Sequence, residues 1–491
     1  MESKILQRLQ QASDEKYIYW VTLIFFLSLN LLNPSNKIIA LSFAALFLLY
    51  TYKLKNVTYS IFYTFLSSTI IYTGKTYPIQ IAPEGIFIKD IYPNGYILNL
   101  VITSQTFIAL VMFFFIVDKF LHKKIKHKPN IIDLLIGLFF ITKIFSAIIA
   151  SKQPEISLPL EITGLSLPVA YFFNRLFLKT TPKFWKIMTF LFAALITFES
   201  VLGFLQLINK SPLGHSIESQ VNIEYFGFSP DETMFTFRPN GTFDHANSLG
   251  IWTGALCVFL FAMSLIYNSN ILWLSLLLGS GLLITTISRS AWLGYFTGIL
   301  FTAYYIRKKK SRIFTNFFHI IYKTRVILLP LTIFLLFVFI LPRAQSSQYS
   351  LQNDAGALFF RQIQNTDALE LIKLHPFLGI GTGMSVPEGI WLNLNTLRAK
   401  LPLEVHNWYL NLALENGIPV LLIFIFFCFL YIKKLYLQKN NYVLKAGITG
   451  VFISSVLAAI FQPFLFLNII LIFISLTNYD NMVAPEHGIR T

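Results

Sequence analysis

Charge and cysteine are both scarce in this sequence. Only 13% of its 491 residues are Asp, Glu, Lys or Arg, against about 25% in soluble domains. That deficit excludes an ordinary water-soluble fold. The two cysteines, Cys257 and Cys428, each lie inside an apolar run. Two such thiols cannot build a cysteine-rich metal site, and a disulfide between lipid-embedded segments is not expected. There is no D-x-D, no phosphate-loop G-x-x-x-x-G-K-[ST] and no H-E-x-x-H. These absences argue against D-x-D metal-dependent transferases, P-loop ATPases and zinc peptidases. A Ser–His pair through Ser288 or Ser290 lacks the supporting G-x-S-x-G. The expectation is therefore chemistry with no metal and no cofactor. No internal repeat or low-complexity tract stands out. The first apolar run follows a mixed-charge stretch, MESKILQRLQQASDEK, and no small-residue cleavage site follows it. It reads as a retained helix, not a signal peptide.

What is present is apolar length. Hydrophobic residues make up 55% of the chain, 50 of them Phe, and the mean hydropathy is +0.62. Fourteen apolar spans can be drawn, at 17–32, 37–52, 57–74, 97–117, 131–150, 158–178, 184–207, 247–267, 271–287, 290–306, 326–342, 408–432, 445–460 and 463–477. About 20 apolar residues cross a bilayer as a helix, somewhat fewer when end residues snorkel. The first two spans, joined at Asn33-Pro34-Ser35-Asn36, could instead form one re-entrant hairpin. The fold class predicted is an all-α polytopic integral membrane protein with about 12–14 transmembrane helices and a long extracytoplasmic loop before a late helix.

The net charge of +16 reads as topology, not as nucleic-acid binding. Lysine and arginine cluster at Lys119–Lys128, Arg175–Lys186, Arg307–Arg312 and Lys433–Lys445. Fourteen spans put all four clusters and both termini on one side, which the positive-inside rule makes the cytoplasm. Residues 75–96, 209–246 and 343–407 then lie outside, with the short joint Ser288-Arg289-Ser290. The chain divides into amino-terminal helices (1–208), a central region (209–432) with outer loops 209–246 and 343–407, and carboxy-terminal helices with a tail (433–491). A short helix is expected at Asp367–Leu374.

Chemistry-bearing residues gather on that outer side. RPNGTFDHANSLG presents Arg238 and His245, with a turn at Pro239-Asn240-Gly241 and Asn247 or Ser248 as the cap of the next helix. Arg289 interrupts apolar sequence beside Ser288, and an arginine at membrane depth costs about 2.5–3.5 kcal/mol at a helix centre on insertion scales. It is expected to face a cavity and meet a partner; reaching outward to headgroups is the plainer alternative. The 343–407 stretch contributes Arg361 and ends on Glu404-Val405-His406-Asn407, where a helix starts. His406 is either a structural helix-end residue or a proton acceptor, with Glu404 and Glu415 as candidate orienting partners. Arginines offer bidentate forks to phosphate oxygens, and an imidazole can take a proton from a hydroxyl at neutral pH. A lipid-linked diphosphate fits both. HPFLGIGTG could add backbone N–H donors through Gly379, Gly381 and Gly383, but the pattern alone is weak and a plain glycine-rich turn is the preferred reading. The candidate set is His406, Arg289 and Arg238 for chemistry, with His245, Asn247, Ser288, Asn407, Glu404 and Arg361 for substrate binding.

RPNGTFDHANSLG, SRSAWLG, HPFLGIGTGM and EVHNWYLNLALENG, in this order and separated by spans, resemble the O-antigen ligase and O-antigen polymerase superfamily over roughly residues 209–425. The resemblance implies a GT-C-like helical fold in the bacterial cytoplasmic (inner) membrane. It implies metal-independent transfer of a glycan from undecaprenyl diphosphate to a hydroxyl of lipid A core, a growing glycan or a protein, within lipopolysaccharide or polysaccharide biosynthesis. The family's functional arginines and histidine fall on Arg238, Arg289 and His406. The expected partners are that donor, that acceptor and membrane lipids, with no nucleic acid. The alternatives are a polymerase of the same superfamily and, in a different class, a lipid-linked glycan flippase. A flippase should carry charges along a central path, whereas here few lie well inside spans, Lys143 and Glu199 among them.

Overall fold

The computed structural model describes residues 13–71, 74–82, 96–122, 129–218, 237–308, 356–386, 388, 405–437, 442–460 and 466–477. It is built almost wholly of helices, nine of which, among the described residues, are long and apolar enough to cross a membrane. In chain order they begin with α1 (Asp14–Leu32), α2 (Asn36–Leu54) and α3 (Val57–Ser68), followed by an antiparallel hairpin of β1 (Gly74–Ala82) and β2 (Tyr96–Thr103). Next come α4 (Ser104–Leu121), α5 (Ile131–Phe145) with a π-helical turn at Ser146–Ala150, α6 (Pro154–Gly164), α7 (Ser166–Phe177) and α8 (Pro182–Asn209). The rest is α9 (Ala246–Tyr267), α10 (Asn270–Thr285), α11 (Arg289–Lys308), α12 (Gly356–Leu374), α13 (Trp408–Asn416), α14 (Ile418–Leu437), α15 (Tyr442–Ala459) and α16 (Phe466–Thr477).

Several expected boundaries shift for local reasons. The span drawn at 97–117 begins as strand β2, and its helix starts at Ser104, capped by the Thr103 hydroxyl. The span drawn at 408–432 is two helices, broken at Gly417. The first two spans are separate 19-residue helices. The short helix expected at Asp367–Leu374 is the end of the longer α12. The span 326–342 lies outside the described residues.

The helices end where their caps dictate. Asn130 and Asp133 form a reciprocal capping box at α5. Thr181 caps α8, with Pro182 in the first turn, where its missing N–H costs nothing. Asn33, Lys55, Lys210 and Asn268 take left-handed conformations that close α1, α2, α8 and α9.

α8 and α9 form the centre. Of the apolar window of α9, 94% is buried, whereas α4 at 17% presents a phenylalanine-rich face outward, as a lipid-facing helix should. α1 packs on α8, and α9 packs on α10, α11 and α15. At one face of this bundle the helix feet are clamped by ion pairs. Asp14 meets Lys53 and Lys183, Glu15 meets Lys186, and Asp133 meets Arg175 with Tyr171 donating to the same carboxylate. At the opposite face, the chain leaving α8 returns to the α1–α2 turn, where His215 meets Asn30 and the Ser216 amide donates to Asn33. All the candidate site residues of the described chain lie at this second face.

Candidate active site

The loop before α9 is seated on α8 by a polar ladder. Gln206 accepts from the Gly241 amide at 2.8 Å and returns a bond to the Gly241 carbonyl at 3.0 Å. Glu199, fully buried in the same helix, accepts from the Thr242 amide at 3.2 Å, and its other oxygen lies 2.5 Å from the Thr242 hydroxyl. That hydroxyl also meets the Ile70 carbonyl at the end of α3. With the turn fixed from below, Arg238 is held from the side. Its Nε donates to the Thr286 carbonyl at 2.6 Å and its terminal nitrogen donates to Asn247 Oδ1.

Thr286 belongs to the joint between α10 and α11. The chain reverses there in three residues through Ile287, which has φ of +51°. A β-branched side chain in the left-handed region costs of order 1–3 kcal/mol. Burial of Ile287 with Ile251, Leu283 and Trp292 offsets it. Trp292 adds a bond from its indole nitrogen to the Leu283 carbonyl at 3.0 Å. α9 approaches this joint at Gly250, where a methyl group would lie 2.8 Å from the Thr286 hydroxyl and 3.2 Å from Ser288. The joint thus sets Arg289 at the head of α11, beside the loop that carries Arg238. Ser288 is buried and pairs with Ser290 at 3.2 Å.

His245, not Asn247 or Ser248, caps α9. Its Nδ1 accepts the Asn247 amide at 2.9 Å. A ring nitrogen that accepts cannot carry a proton, so this imidazole is neutral with its hydrogen on Nε2. Burial pushes its pKa down to about 3, and Arg238, His406 and Arg361 push the same way. Arg361, on α12, is itself pushed down to about 10 by burial and by Arg289. Arg238, Arg289, Arg361, His245 and His406 therefore occupy one electrostatic neighbourhood, although they come from four separate stretches of chain. Crowded, partly buried cations of this kind are relieved by an anion.

His406 directly precedes α13 but does not cap it. Asn407 does, accepting from the Tyr409 and Leu410 amides at 3.0 and 3.2 Å. The Asn407 side-chain oxygen is thereby engaged in the cap, as that of Asn247 is engaged by Arg238. His406 Nδ1 instead meets Gln364 Oε1 at 3.2 Å. Gln364 stands one turn beyond Arg361 on the same face of α12, and sequence reasoning overlooked it. The i, i+3 spacing from Arg361 was the available signal. Glu404 lies outside the described residues.

The glycine motif turns out to be a buttress. The Ile380 amide donates to the Leu414 carbonyl, the Gly381 amide to that of Glu415, and Ile418 to that of Pro376. These bonds zip residues 376–381 along the α13–α14 break, so the amides of 380 and 381 are spent within the fold. Ser146, in the π-helical turn after α5, donates to the Leu378 and Glu415 carbonyls. Lys143 pairs with buried Glu161 at 2.9 Å, and Glu161 accepts from Thr382, which in turn accepts from Asn416. Lys143 and Glu161, which the sequence places within a span or near a span end, therefore support residues 376–382 from behind.

A comparison with curated proteins finds no match to the chain. Residues 274–425 match the family model described as O-antigen ligase. That range takes in Arg289, Arg361, Gln364 and His406, while Arg238 and His245 precede it. With its array of apolar helices the chain is a multi-pass membrane protein, and its residues 274–425 carry an O-antigen ligase-type domain.

Proposed function

We propose that the protein transfers a glycan from an undecaprenyl-diphosphate-linked donor to an acceptor hydroxyl at the outer face of the cytoplasmic membrane. One observation carries this reading: three guanidinium groups and two imidazoles from separate stretches share one partly buried neighbourhood. Arg238, Arg289 and Arg361 bind the diphosphate oxygens. His406 takes the proton of the acceptor hydroxyl, whose oxygen attacks the anomeric carbon. The bond from that carbon to the phosphate oxygen breaks, and its electron pair leaves with undecaprenyl diphosphate. The arginines stabilise the charge that grows on the leaving group. The donor bond supplies the driving force, so no nucleotide is consumed. A single displacement inverts the anomeric centre.

The test is direct. Purified protein in liposomes receives a lipid-linked glycan and, in parallel reactions, lipid A core, free glycan or peptide hydroxyl acceptors, in EDTA and without ATP. Inverted product from one acceptor supports the reading and assigns ligase or polymerase type. Activity that vanishes in chelator and returns with Mg²⁺ or Mn²⁺ removes the arginine mechanism. Donor that changes leaflet without forming product indicates a flippase.

A further inference from the structure

The general base of the proposed reaction needs its ring held in one tautomer, because only an unprotonated Nε2 can take a proton from the acceptor while Nδ1 carries the hydrogen. In this structure an amide oxygen faces Nδ1. It is the side-chain oxygen of Gln364, at 3.2 Å, on a residue whose exposure is only 7%. We propose that Gln364 is a positioning residue which, by accepting the Nδ1 hydrogen of His406, fixes the imidazole as the Nε2 base. This rests on the proposed role of His406.

The placement of Gln364 follows from the helix that carries it. Gln364, Ala368, Leu371 and Ile372 form the buried stripe of α12. The last three pack with Val405, Ala413 and Leu414 around α13. The stripe that docks α12 therefore also brings the amide to the residue just ahead of α13. Arg361 lies one turn earlier, so a single rigid helix sets both a diphosphate cation and the orientation of the base.

A neutral amide suits the surroundings. Among the described residues, His406 acts electrostatically on His245, which also feels Arg238 from the loop before α9 and Arg361 on α12; Asp244 bonds Ser248 beside it, and Arg289 is close to Arg361. A carboxylate in place of Gln364 would be drawn to those guanidiniums and would compete with the donor diphosphate for them. An amide orients the ring without adding negative charge to the anion site. His245 offers the contrast. Its Nδ1 is the acceptor, so its hydrogen sits on Nε2 and it holds the opposite tautomer.

The experiment compares Gln364→Leu, Gln364→Glu and His406→Ala with the wild-type full-length protein in liposomes, by single-turnover transfer from pH 5 to 9 and by donor binding. Gln364→Leu should lower turnover about 10- to 100-fold, a fraction of the 10²–10⁴-fold worth of a general base, with donor affinity unchanged. Gln364→Glu should move the acid limb of the pH–rate profile to higher pH, because a carboxylate beside Nδ1 favours the imidazolium. A structural role alone would leave that limb in place. If His406→Ala is inactive while Gln364→Leu keeps its rate and Gln364→Glu keeps the wild-type limb, the positioning role is wrong and the base survives. If His406→Ala transfers at the wild-type rate, the base assignment itself is wrong, and the role of Gln364 goes with it.

Discussion

Arg238 Nε donates to the backbone carbonyl of Thr286, 48 residues later in the chain, at 2.6 Å. Thr286 stands three residues before Arg289. Neither arginine can shift without pulling on the segment that carries the other. Arg238→Ala and Arg289→Ala should therefore be non-additive, with a coupling of about 0.5–3 kcal/mol in a double-mutant cycle on donor binding. Arg238→Lys should rescue poorly. An ammonium cannot keep the Thr286 and Asn247 bonds and also present a planar fork. Full additivity of the two alanine variants would show that the joint does not link them.

Glu199 carries a prediction that runs against its charge. The Thr242 amide and hydroxyl both donate to its carboxyl group, and the hydroxyl is shared with the Ile70 carbonyl. Glu199→Gln keeps an oxygen for the amide and lets the hydroxyl donate wholly to Ile70, so it should keep near wild-type transfer. Glu199→Leu leaves the Thr242 amide buried without its acceptor, a loss of about 1–3 kcal/mol, and should reduce activity through displacement of Arg238. A Gln variant as inactive as the Leu variant would mean that the carboxylate charge is used.

The glycine buttress should be intolerant of a single methyl group. Gly379 and Gly417 have φ of +68° and +90°, and a Cβ on either would run into backbone atoms of Glu415 or Phe377. Gly379→Ala and Gly417→Ala should each cost at least about 1–3 kcal/mol from overpacking alone. Gly164, with nothing within 4 Å of the added atom, is the control. Thermal unfolding in detergent should show lower Tm for the first two and little change for Gly164→Ala.

Two histidines share the site, but only one should titrate in the working range. With its pKa pushed down to about 3, His245 stays neutral from pH 8 down to pH 5 and gains its proton only far below that window. An acid limb within the window belongs to another group, His406 under the proposed mechanism. His245→Asn keeps an N-cap acceptor and should leave the limb where it is. A limb that disappears in His245→Asn would reverse the assignment of the two imidazoles.

Sidedness can be read at two helix ends. Asn209 closes α8 at the site face, and Asn270 opens α10 at the other; both are exposed. Cys257 and Cys428 are buried, so background labelling should be low. In intact spheroplasts an impermeant thiol reagent should label Asn209→Cys and spare Asn270→Cys. The reverse pattern would put the arginine site in the cytoplasm.

The helical bundle was legible because lipid forces every backbone polar group into internal bonds, and apolar length then marks each helix. Arg238, Arg289, Arg361 and His406 were legible because charge is conspicuous where the rest of the sequence is apolar. Pairings were not. Nothing in the order of residues says that Gln364 meets His406, or that Glu199 receives Thr242. Those contacts depend on how α12 and α8 are docked. The glycine motif was ambiguous for the opposite reason: its positive-φ residues signal exposed amides and packed turns alike, and the α13–α14 break decides for the turn that the sequence favoured.

The line from Lys143 through Glu161 and Thr382 to Asn416 bears on how this protein can be cut or grafted. The recognisable ligase-type segment does not own its foundations. Its rear wall is α5 and α6, and the ledge under Arg238 is α8, helices in which no motif can be read. A chimaera that transplants residues 274–425 alone would carry most of the reactive groups and leave behind the struts that aim them. Exchanging whole proteins, or swapping from α5 onward as a block, is the engineering route that this architecture permits.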